Sequence, residues 1–120
     1  MKHEGDLDLE QAARLLGDAG LVPLVVETFA EAAQRLLPQL RQSILANEEG
    51  EVRRHLHRLT PTLALLARRD MQDHCERVSA MWHAPVSPQR EPHSLALVDR
   101  IQSLLREAAQ SSAEGTDGAA

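Results

Sequence analysis

The chain has 120 residues, 42% apolar but only 2% aromatic, so its single core must be built from leucine, valine, alanine and methionine. The β-branched and aromatic residues that suit a pleated sheet are too scarce for a sheet protein, which points to helices. A formal net charge of −5 argues against nonspecific nucleic-acid binding as the main role, and a lone cysteine, Cys75, excludes an intrachain disulfide or a cysteine-based zinc site. No apolar run approaches the ~18 residues of a membrane span, and "MKHEGDLDLE" lacks the apolar segment of a signal peptide. The expected setting is therefore the reducing cytoplasm, without membrane insertion, and Cys75 reads as a small buried apolar residue.

Taken in chain order, residues 1–7 are expected to be flexible. Asp8 is placed to cap a short helix over "LEQAARLLG", with Leu9, Ala12, Ala13 and Leu16 on one face and Gly17 closing it. Asp18 offers a second cap. From there to about Asn47 the positions Leu21, Leu24, Val25, Thr28, Phe29, Ala32, Leu36, Leu40 and Ile44 keep helical spacing, giving a helix of roughly 40 Å. Pro23 falls in its first turn and Pro38 inside it, where a kink is expected.

"NEEGE" interrupts the pattern, and the next helix is expected from near Glu48 to about Ala67. Asp70, with Asp73 three residues on, opens a further helix whose inward stripe is Met71, Cys75, Val78 and Trp82. "HAPVSPQREPH" carries three prolines and reads as a loop. A last helix from about Pro92 to Ala109 buries Leu95, Val98, Ile101 and Leu105, and residues 110–120 form a small polar tail expected to be disordered. Residues 8–109 thus describe an all-α domain, an antiparallel four-helix bundle with a short extra N-terminal helix.

The stretch "EVRRHLHRLTPTLALLARR", residues 51–69, carries the chemistry. Successive helical side chains turn by about 100°, which brings Val52, Leu56, Leu59, Leu63 and Leu66 within about 40° of one buried line. His55 lies about 60° from that line, as a structural histidine at the core edge. His57 lies about 140° away, facing solvent, with Pro61 and Ala64 nearest along the axis and Arg53, Arg54 and Arg68 on the same half. That face reads either as an ordinary solvated charged surface or as a presented nucleophile. A neutral imidazole is a competent nucleophile at cytoplasmic pH, and arginines can hold the charge it would carry once phosphorylated. A metal-binding bundle is disfavoured: His55 and His57 face different ways, no Glu-x-x-His pair repeats across helices, and His74 beside Cys75 does not by itself make a site.

On "LLGD" at 15–18, Phe29, "RRHLHRL" at 53–59, and Met71, Cys75 and Val78, the chain resembles the histidine-containing phosphotransfer (HPt) domains of bacterial multistep phosphorelays over residues 8 to about 83. The family motif is His-x-Leu-Lys-Gly. His57, Arg58 and Leu59 match its first three places, while Thr60 stands for the lysine and Pro61 for the glycine. The resemblance implies that His57 accepts a phosphoryl group from one receiver-domain aspartate and passes it to another. The receiver would bring magnesium, this domain would bind no cofactor or metal of its own, and Arg53, Arg54, Arg58, Thr60, Pro61, Ala64 and Arg68 would meet the partner. The parent that this resemblance implies is a hybrid sensor histidine kinase. Thr60 and Pro61 leave a second possibility, an HPt-like module that docks a signalling partner without phosphotransfer.

Overall fold

A computed structural model describes residues 5–119, with side chains as far as Ser111. Among these residues all regular structure is helical: α1 (Leu9–Leu16), a 3₁₀ turn (Ala19–Leu21), α2 (Val22–Leu45), α3 (Glu49–Leu66), α4 (Arg69–Met81) and α5 (Arg90–Ala119). The caps explain the early boundaries. Asp8 Oδ1 accepts from the Gln11 N–H at 3.0 Å, Gly17 closes α1 at φ 77°, and Asp18 caps the 3₁₀ turn. Pro23 sits in the first turn of α2, where its missing N–H is harmless. Neither Pro38 in α2 nor Pro61 in α3 ends its helix. Asn47, left-handed at φ 60°, makes the short reversal between α2 and α3.

α2 packs on α3 and α5, α4 on α3 and α5, and α1 on α2 and α3. Between them lie Leu40, Leu56, Leu63, Leu66, Met71, Trp82, Leu97 and Ile101, all essentially without solvent contact. The inward stripes expected for α3 and α4 are buried throughout. In α5 the buried apolar positions are Leu97, Val98, Ile101, Leu104 and Ala108, while Leu95 and Leu105 are partly buried beside them.

Several expectations are corrected. In α2 the core receives Val22, Phe29, Ala33, Leu37, Leu40 and Ile44, while Leu21 and Leu24 are 42% and 61% exposed. The apolar spacing of α2 supports two stripes, and only tertiary packing selects between them. Leu65, about 140° from the buried line of α3 and so expected on the surface, is half-buried against the core, where α1 packs on α3. Helix α4 starts at Arg69, and the Asp70 carboxylate turns to Arg100, 2.9 Å away, instead of capping. Helix α5 starts at Arg90, with Pro92 in its first turn, and continues past Ala109 to Ala119.

The N-terminus differs most. Residues 1–4 lie outside the described residues, but residues 5–8 are strapped across the molecule. Leu7 is buried in an antiparallel bridge to Ala67, the Asp8 N–H donates to the Leu66 carbonyl (2.7 Å), and the Arg68 N–H donates to the Asp6 carbonyl (2.8 Å). The Glu107 carboxylate accepts from the Leu7 N–H at 2.9 Å, and Arg100 grips the Asp6 carboxylate at 2.7 and 2.8 Å.

Candidate functional site around His57

Helix α3 positions the site, because its buried stripe leaves little rotational freedom for the opposite face. Val52, Leu56, Leu59, Leu63 and Leu66 are all 3% exposed or less, so His57 on the far side is held outward and is exposed. Toward the carboxyl end its helical neighbours Pro61 and Ala64 are short, and Gly50 lies two turns before it, while Arg53 and Arg54 stand one turn before it. An incoming group therefore has open space on the Pro61 and Ala64 side of the imidazole and arginines on the other. Pro61 has no N–H, so the His57 carbonyl lacks the helical donor that position 61 would otherwise supply.

The arginines around it divide. Arg53 donates from Nη1 to the Trp82 carbonyl at 3.0 Å and lies 3.9 Å from Glu49. Arg54 pairs with Glu51 one turn earlier. Arg68 is 3.9 Å from Asp70 at the start of α4. Arg58 is exposed and forms no ion pair with another described residue, leaving it the least committed cation beside His57. The Thr60 hydroxyl donates to the Leu56 carbonyl at 2.8 Å and lies 3.8 Å from Cys75 Sγ, so Thr60 is turned toward α4.

His55 is a different histidine altogether. It is 4% exposed, and its Nδ1 has no hydrogen-bond partner. Burial holds its pKa below the usual imidazole value, with Arg54 and Arg58 pushing the same way against the opposing pull of Glu51. Burial likewise raises the Cys75 thiol pKa, which suits a packing residue better than a reactive one. Among the described residues no group of three His, Cys, Asp or Glu side chains could hold a metal ion, and no helix is long and apolar enough to cross a membrane.

Comparison with protein-family models, curated proteins and solved structures finds no match for this chain. The residues must therefore be read on their own chemistry.

Two features of this region go beyond the sequence reading. A groove of about 630 Å³ runs between α2 and α3, lined by Leu24, Val25, Phe29, Leu36 and Leu59 with Arg35 and Arg58 at its charged positions. Its signal in the sequence was the apolar spacing on α2 that had been assigned to the core. The second is Arg90, 2% exposed, stacked 3.9 Å over the Trp82 ring and 3.0 Å from Glu49. Nothing in the local sequence separates Arg90 from a surface arginine, because its partners come from distant turns.

Proposed function

We propose that this protein is a histidine phosphotransfer module in which His57 accepts a phosphoryl group from an aspartyl phosphate of a receiver domain and hands it to another receiver. In this reading α2, α3, α4 and α5 form the antiparallel four-helix bundle of an HPt domain, with α1 as the extra N-terminal helix, working in the cytoplasm. The single supporting observation is an exposed imidazole, flanked by Pro61 and Ala64, on a helix whose other face is locked into the core.

In the transfer, an imidazole nitrogen lone pair forms the P–N bond as the P–O bond to the aspartate breaks. The aspartate leaves as a carboxylate and the imidazole sheds its ring proton to solvent. The receiver supplies magnesium and most of the transition-state stabilisation, while Arg58 offers a nearby cation. The bundle's contribution is presentation, because a rigid helix fixes where the nitrogen stands.

Phosphorylated receiver domains mixed with the purified protein should give an acid-labile, alkali-stable label that is absent from His57→Gln. A label that persists in that variant, or none with any receiver tested, would sink the proposal.

A second reading is favoured by Thr60 and Pro61. With the Thr60 hydroxyl committed to the Leu56 carbonyl and a proline ring beside His57, the same face can dock a signalling partner without chemistry. Retained partner affinity in His57→Gln, with loss of binding on charge reversal at Arg54 or Arg68, would select this reading.

A further inference from the structure

Helix α2 carries two apolar stripes about 100° apart, one inside the core and one along the groove. The second, comprising Leu24, Val25, Thr28, Ala32 and Leu36, is only partly covered, with Leu24 61% exposed and Leu21, in the preceding 3₁₀ turn, 42% exposed. Such a strip offers an apolar face on which a partner helix can pack.

Charge narrows the occupant. No carboxylate lines the groove, although the chain carries a formal net charge of −5, and its charged lining residues are Arg35 and Arg58. Neither arginine forms an ion pair with another described residue. The same is true of Glu27 and Glu31, which flank the strip on its outer side, even though Glu31 stands one turn before Arg35 on the same helix. The groove thus calls for a helix with an apolar stripe edged by carboxylates, and α2 itself has that composition.

Reversal of α2 about Ala32 brings the centre of the strip onto itself. Thr28 falls opposite Leu36 and Val25 opposite Gln39, while Ala32 meets its own copy, where a methyl group allows close helix approach. A two-fold axis keeps the same flank of both helices together. At 1.5 Å per residue, Arg35 then lies about 4.5 Å along the axis from the crossing, and Glu31 of the second copy about 1.5 Å on the same side. Long side chains span that 3 Å offset.

We propose that the α2–α3 groove is a self-association surface: α2 of a second copy lies antiparallel in it, crossing at Ala32, with Arg35 of each copy paired to Glu31 of the other. This association is independent of the phosphotransfer reading. His57 lies about 100–160° around α3 from the groove-lining positions Arg58, Leu59 and Thr62 and stays open in the pair.

Sedimentation equilibrium from micromolar to millimolar protein tests it against the 13.3 kDa chain mass. The wild type should approach twice that mass as concentration rises. Arg35→Glu and Glu31→Arg each place like charges at the crossing and should weaken association about tenfold or more. The double variant Glu31→Arg/Arg35→Glu should regain it, Ala32→Arg should lose it by bulk, and His57→Gln should leave the mass curve unchanged. Far-UV circular dichroism checks that each variant is folded, and all these substitutions lie on exposed positions. A single-chain mass for the wild type throughout would overturn the proposal. So would an Arg35→Glu variant as dimeric as the wild type, or a double variant no better than the single ones.

Discussion

Arg90→Ala should be among the most damaging single substitutions of a charged residue in this protein. The guanidinium is 2% exposed, lies 3.9 Å over the Trp82 ring, donates to Glu49 at 3.0 Å, and also donates to the Asn47 side chain in the α2–α3 reversal. It thereby ties the start of α5 to the turn that begins α3. A charge-assisted hydrogen bond is worth about 1.5–3 kcal/mol, taken here at the lower end because Glu49 is 44% exposed. A desolvated cation–π stack adds about 1–2 kcal/mol. Truncation should therefore cost about 3 kcal/mol, a large part of the roughly 5–15 kcal/mol that holds a domain folded. Trp82 is the only tryptophan, so its emission reports urea unfolding directly. With a slope of roughly 1–3 kcal/mol per molar urea, the midpoint should drop by at least about 1 M. Glu49→Gln, which keeps the stack, should cost about 1 kcal/mol or less. A midpoint for Arg90→Ala within about 0.2 M of wild type would refute the account.

Two further outcomes follow from α3 and its neighbours. Burial lowers the pKa of both His55 and His74, in the second case helped by Arg100, below the model-compound value of 6.5. Both are neutral in folded and unfolded chains well above that pH; as pH falls through it, the unfolded chain gains protons that the folded one resists, and stability declines. Urea midpoints at pH 7.5 and 5.5 should show that decline, reduced in His55→Leu, which also removes an unpartnered buried Nδ1; equal midpoints for the wild type would contradict it. Pro61→Ala returns an N–H to the His57 carbonyl and should raise stability by about 1–3 kcal/mol in the same assay, whereas a loss would mean the ring itself supports the helix.

The all-helical character and the α3 and α4 stripes could be read from spacing alone. Each helix has one apolar line, so its buried side has no competitor, and the outward direction of His57 follows from the same turn angle. Helix α2 defeats that approach because Leu24, Ala32 and Leu36 are spaced as regularly as Phe29, Ala33, Leu37 and Leu40. The choice between them depends on where α3 and α5 lie. The wheel places the arginines around His57 but not their partners, such as the carboxylates of Glu49 and Glu51 one turn before Arg53 and Arg54. Long-range partners stayed hidden for a simpler reason: Glu107 accepts from the Leu7 N–H 100 residues away, and no local pattern encodes that contact.

The N-terminal strap has a practical meaning for anyone handling this chain. Trimming back to Asp8 would discard the Leu7 plug, strip Arg100 of its bidentate carboxylate and leave Glu107 without the amides it receives. A label joined ahead of Gly5 would emerge beside Glu107 of α5, past the α3–α4 junction against which Asp6 and Leu7 lie. Such a fusion would sit clear of the imidazole while bearing on the seam where α3 hands over to α4.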